Sequence, residues 1–200
     1  MSVFRSHHRL AVFIVVRLVL ASVEMTTVTA SKLATAGPLD MVVVHYTETL
    51  GEIAGADRGP TLTIHEDGTV DVHYPAYMRR AGDYRGRLGA AELETLLGRL
   101  IGHGVLDFDA AAVRAERGAE VERRSARPLR PGAPAPLFVA TDPSVTAITV
   151  RIDGMERTAT WVGLRADATH FPRIAALQGL RAAERELRGV MERGDLERVK

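Results

Sequence analysis

Imidazole and carboxylate side chains close together in sequence are the raw material of metal sites and of acid/base catalysis. The stretch HEDGTVDVHY, residues 65–74, holds His65, Glu66, Asp67, Asp71 and His73. His45 lies on an apolar stretch just upstream. If this chain were a hydrolase-type enzyme, His45, His65, Asp71 and His73 would be its acid/base groups. Whether they meet depends on the backbone that carries them.

That backbone reads as a β-hairpin. A two-residue loop at Asp67-Gly68 would set Ile64 opposite Asp71 and mix apolar with polar side chains on one face. A three-residue loop, Glu66-Asp67-Gly68 with the glycine left-handed, sets Ile64 opposite Val70 and Leu62 opposite Val72. Leu62, Ile64, Val70, Val72 and Tyr74 then share the core face, and Thr61, Thr63, His65, Thr69, Asp71 and His73 the other. At about 3.4 Å per residue this separates the imidazoles of His65 and His73 by roughly 13 Å, too far for one ion. His65 and Asp71 form a diagonal pair at about 7 Å, and His45 reaches one of them if its strand is adjacent. Glu66 and Asp67 have a turn role, accepting backbone hydrogen bonds. The expectation is a solvated sheet face, with no metal and no cofactor.

The surrounding elements follow from periodicity. LDMVVVHYTE, residues 39–48, is β-branched and aromatic, bounded by Gly37-Pro38 and by the loop GEIAGADRGP, so it reads as a strand followed by a long loop. After Tyr74 the pattern suggests a turn and a short extended piece. In GAAELETLLGRLIGHG, residues 89–104, Leu93, Leu96, Leu97, Leu100 and Ile101 make one helical apolar stripe that ends at Gly102 and Gly104. The stripe serves as a sheet-packing face, the alternative being a groove for a partner helix. From about 109 to 136, alternating arginine and glutamate give way to prolines, which reads as a short charged helix and a connector inserted into the domain. A second hairpin, with a two-residue Asp153-Gly154 turn, pairs Ile152 with Met155, Val150 with Arg157 and Ile148 with Ala159, and sets Arg151 against Glu156. A last helix starts near Pro172 and carries Leu177, Leu180, Leu187, Val190 and Met191 inward. Its charged residues, Arg181, Glu184, Arg185, Glu186 and Arg188, read as a solvated outer face.

Strands joined by tight turns, with helices between the groups, predict an α+β domain over residues 37–192. One antiparallel sheet of about five strands, including the two DG hairpins, carries two main helices on one face. Residues 193–200 read as a tail. Residues 1–36 read as an extension: Arg5, His7, His8 and Arg9 precede an apolar run from Leu10 to Ala21, the layout of a secretory signal. An amphipathic helix, or a start at Met25, accounts for it equally, and the balance falls toward the cytoplasm over export. Arg17 interrupts the run, so no stable membrane span is expected.

Composition narrows the function classes. Twenty-six basic against twenty-five acidic residues leave a net charge of +1, and aromatics are 5%, so no nucleic-acid partner is expected. The chain has no cysteine, which excludes disulfides and thiolate chemistry. It carries no GxSxG, HExxH, Walker or GxGxxG pattern. A non-enzymatic domain that binds another protein is the leading reading, with the oligomeric state left open.

The run LTIHEDGTVDVHY, then Gly86, LGAAELETLLGRL and ITVRIDG resembles a group of bacterial domains built on a DG hairpin, a Leu-rich helix and a second hairpin. In layout the chain also resembles the emfourin-like inhibitors of thermolysin-type metalloproteases. Those usually carry a glycine-phenylalanine-alanine-glycine run after the first strand, where this chain has LGEIAG. The resemblance implies an inhibitor-like, protein-binding role. It places the contact surface on the loop after the first strand, at Leu50, Glu52, Ile53, Asp57 and Arg58.

Overall fold

A computed structural model describes residues 41–50, 57, 59–126 and 144–199. The sequence readings for residues 1–36, for Glu52, Ile53 and Arg58, and for the proline-rich part of the connector lie outside them. The described strands are β1 (Val42–Leu50), β2 (Thr61–His65), β3 (Thr69–Tyr74), β4 (Gly82–Arg87), β5 (Ser144–Ile152), β6 (Met155–Val162) and β7 (Glu197–Arg198). They form one sheet in the order β6-β5-β1-β2-β3-β4-β7, with every neighbouring pair antiparallel. The helices are α1 (Ala90–Gly102), α2 (Ala110–Ser125), α3 (Leu164–His170) and α4 (Ala175–Met191).

The class is α+β on a single antiparallel sheet, as the alternating patterns require, but the sheet has seven strands instead of about five, and four helices instead of two. The two extra strands are polar. In β4 the core-side positions are Gly82, Tyr84 and Gly86, alternating with Asp83, Arg85 and Arg87, so the apolar half of the alternation is nearly empty. Leu196 fills it: a Cβ on Gly86 would lie 2.5 Å from Leu196 Cδ2. That packing brings the supposed tail alongside β4 as β7, pairing Tyr84 with Arg198 and Arg85 with Glu197. The extra helix α3 precedes Phe171, where the proline at 172 forces a break before α4.

Both hairpins have the registers that face-matching demands. Ile64 pairs with Val70 and Leu62 with Val72, and Gly68 takes the left-handed φ of +87°. Asp153 and Gly154 both have positive φ, as a two-residue turn of this hand requires, and Ile152 pairs with Met155. Arg151 donates from Nε to Glu156 at 3.0 Å across the strands. Arg157 is exposed and donates to the carbonyl of Glu156.

The core lies between the sheet face carrying Val44, Tyr46, Leu62, Ile64, Ile148 and Val150 and the buried faces of the helices. α4 contributes Leu177, Leu180, Leu187, Val190 and Met191. α2 is held differently, since Val113 is its only buried residue. Arg117 Nε donates to Asp167 at 3.0 Å, Asp167 also accepts from the Trp161 indole at 3.0 Å, and the guanidinium groups of Arg117 and Arg124 lie over Phe171.

One expectation for α4 fails. Glu184 is fully buried instead of facing solvent. It accepts from Arg165 Nε at 3.0 Å and from Arg181, and lies 3.3 Å from Arg188 Nε. Glu48 of β1 accepts from Arg188 and, at 2.9 Å, from Arg165. The Tyr46 hydroxyl donates to Glu48 at 3.3 Å. Burial pushes the Glu48 carboxyl up, but the Arg188 hydrogen bond and the nearby guanidinium charges outweigh it, and the net shift is downward. The cluster therefore joins β1, α3 and α4 by paired charges where the pattern of α4 suggested water. Removing one member of such a cluster leaves its partners uncompensated. We predict that Glu184→Ala costs about 3 kcal/mol or more in urea unfolding. The exposed-face change Glu186→Ala, which loses only the surface bridge to Arg99, costs under about 1 kcal/mol.

Candidate functional site

The structure places His45, His65, Asp71 and His73 on the sheet face away from the core, in three separate groups, and His65 is buried there where the sequence suggested a solvated position. His45 is opposite Thr63 and Thr149 on its two flanking strands, and its Nδ1 lies 3.2 Å from Thr63 Oγ1. It reaches neither His65 nor Asp71, although β1 and β2 are neighbours. Burial lowers its pKa. His65 Nε2 lies 3.1 Å from Asp71 Oδ2, and Arg85 Nε donates to the other Asp71 oxygen at 2.7 Å. His73 donates from Nδ1 to Asp83 at 2.7 Å and from Nε2 to Asp57 at 3.0 Å.

His45 and His73 are two strands and two residues apart, about 12 Å by strand spacing, so a small substrate cannot touch both. Among the described residues no three His, Asp or Glu are grouped to hold a metal ion. Four surface cavities are lined by other side chains.

His73 does connect elements. Asp57 accepts from it with one oxygen and from the backbone N–H of Ala76 with the other, at 3.1 Å, which fastens the end of the loop between β1 and β2 to β3. Of the predicted contact residues, Asp57 is thus engaged within the domain, and Leu50 ends β1 38% exposed, paired with Ser144.

The largest of the four cavities lies at the other end of β1, and the side chains expected to do chemistry take no part in it. It is an open groove of about 860 Å³ between α1, the β2–β3 turn and the β5–β6 turn. Ala90, Leu93, Leu97, Gly98 and Ile101 form its helical wall, and Ile152 faces them. The apolar stripe of α1 is therefore split: Leu93, Leu96 and Leu100 are buried, whereas Leu97 is half-buried and Ile101 is 42% exposed. The i, i+3, i+4, i+7, i+8 spacing of the stripe is that of one ordinary packing face, and it gives no sign of which positions stay open. Glu66, Asp67, Glu94 and Asp153 rim the groove. Arg87 partners Asp67, donating to its carbonyl at 2.9 Å. Glu66, Glu94 and Asp153 have no ion-pair partner among the described residues.

The hydrogen bonds to Asp57 and Asp83 raise the His73 pKa, and the same bond to His73 lowers that of Asp57. The His73 contribution to stability is fully present below the unfolded value near 6.5 and is lost as pH rises through the higher folded value. The Asp57 contribution is present above its unfolded value near 3.9 and is lost as pH falls through the lower folded one. The clasp is thus strongest between those limits. We predict that Asp57→Asn moves the His73 titration, followed by NMR of the ring protons, downward toward about 6.5; an unmoved titration curve would refute the contact. Comparison of the chain with protein-family models, with curated proteins and with solved structures finds no match.

Proposed function

We propose that this chain is a non-enzymatic protein-binding domain that holds an apolar segment of a partner protein in the groove along α1. The observation that carries the reading is the half of the α1 stripe left uncovered among the described residues. Leu97, Ile101 and Ile152 present apolar surface in a concave site, where covering it from water is favourable, and the carboxylate rim supplies selectivity. A hydrolase built on His45, His65, Asp71 and His73 would need a concave pocket around two of those groups; His65 and Asp71 do meet, at 3.1 Å, but neither lines any of the four cavities. The inhibitor-like role suggested by the resemblance puts the contact near Leu50 and Asp57, at the opposite end of β1. The groove supports binding independently of that resemblance.

A photo-crosslinking residue placed at position 101, with position 160 on the open sheet face as control, tests the reading in the native cell. We expect a discrete adduct at 101 that is absent at 160. The partner identified in the adduct, purified and titrated against the full chain, should bind tenfold or more weakly to Ile101→Asp, the loss expected when one central apolar anchor is replaced by a charge. The melting temperature should be nearly unchanged, since Ile101 is exposed in the free domain. Equal adducts at 101 and 160, or binding indifferent to Ile101→Asp, overturn the proposal.

A further inference from the structure

The groove restricts what can lie in it. Its long wall is one face of a helix, with Ala90, Leu93 and Glu94, Leu97 and Gly98, and Ile101 following one another turn by turn over about 17 Å. The facing walls are two hairpin turns. A bound helix satisfies its own peptide groups and fits this helical wall without needing a strand edge to pair with. Apolar anchors at i, i+3 or i+4, and i+7 on that helix would match the three turns of α1 that line the groove.

Gly98 adds an independent observation. It stands in the middle of α1, where alanine would make the better helix, yet a Cβ built on it meets nothing within 4 Å. Gly118 of α2 and Gly189 of α4 are open in the same way, and what sets Gly98 apart among them is that it lines this groove. Facing the groove, it makes a notch on the exposed wall, the kind of small-residue site at which two helix backbones approach closely.

Charge selects among helices. Glu66, Glu94 and Asp153 surround the apolar floor without cationic partners among the described residues, and a docked segment strips water from them. An acidic helix would add repulsion. A second copy of this chain, meeting the groove across a two-fold axis, would bring its own Glu66, Glu94 and Asp153 to the same rim. A helix flanked by lysine or arginine satisfies all three carboxylates.

We infer that the occupant of this groove is an amphipathic helix with basic flanks, from a partner protein, crossing α1 at Gly98. The inference rests on the protein-binding reading and adds to it the chemistry and conformation of the partner.

The test uses the full chain, labelled for NMR, and three synthetic peptides of about 18 residues sharing one Leu-rich helical pattern. One has lysine and arginine on its polar flanks, one has glutamate there, and one is the basic peptide with a central proline. We expect the basic peptide to shift the amides of residues 90–101 and 152–153 and to bind at least tenfold more tightly than the acidic one. Its affinity should fall severalfold or more as salt rises from about 50 to about 300 mM. The proline should abolish binding. Gly98→Leu should weaken the basic peptide at least tenfold while melting no lower than the parent. Glu66→Gln with Glu94→Gln and Asp153→Asn should bring the two peptides within about threefold of each other, because only the rim distinguishes them. Equal affinity of both peptides in the groove would overturn the basic helix and leave the protein-binding reading intact. Retained binding of the proline peptide, or indifference to Gly98→Leu, would overturn the helical crossing. A dimer detected by sedimentation and dispersed by Gly98→Leu would give the groove to a second copy. Failure of every peptide to bind overturns this inference, and only an accompanying absence of the position-101 adduct overturns the protein-binding reading as well.

Discussion

The pairing of Glu48 and Glu184 with Arg165, Arg181 and Arg188 is the interaction on which the arrangement of this domain depends. It joins the interior strand β1 to two helices from the far end of the chain, and Glu48 and Glu184 are acceptable inside only because the partly exposed arginines are present. β1 must also pair on both edges, with β2 beside it in sequence and with β5 roughly a hundred residues later. The charge cluster lies on the core side of the same strand and holds α3 and α4 over it. A buried ion cluster of this kind adds little net stability over an apolar equivalent, but it penalises any arrangement in which one partner is missing. It favours one placement of α4 over neighbouring ones.

With α4 so placed, the core covers Leu93, Leu96 and Leu100 of α1 and leaves Leu97 and Ile101 to one side. Ion pairs from Arg99 to Glu186 and from Arg193 to Glu92 close the seam between α1 and α4 on its other flank. The apolar groove is therefore a consequence of how α1 is seated. One edge of its stripe faces α4 across a bridged seam, and the opposite edge faces two turns too short to cover it.

The histidines illustrate how an array that reads as chemistry becomes architecture. His65 and His73 each find an aspartate on or beside β3, and His45 finds a threonine, because side chains on adjacent strands pair where they stand opposite or diagonal. On a sheet these partners are spaced by the strand repeat, which disperses the groups. A catalytic site needs them to converge, as loops or facing elements can arrange.

Local rules made much of this legible from residues alone. Asp153-Gly154 and Glu66-Asp67-Gly68 dictate their hairpins, since only one register keeps Ile148, Val150, Leu62 and Val72 on a common face. The α+β class, the α1 stripe and the inward face of α4 follow from the same periodicity. β4 and β7 did not, because polar residues become strands only when a neighbouring edge and a covering Leu196 supply the pairing and burial that their own sequence lacks. Glu184 did not either: its spacing on α4, with Arg181 and Arg188 a turn away, is that of a solvated charge, and its burial is seen only when Arg165 and the core arrive from other elements. The groove was visible only as an alternative use of the α1 stripe, whose five positions have the spacing of an ordinary packing face. Which residues of that stripe meet the core and which stay open depends on contacts between elements distant in sequence, and no periodicity within α1 encodes them.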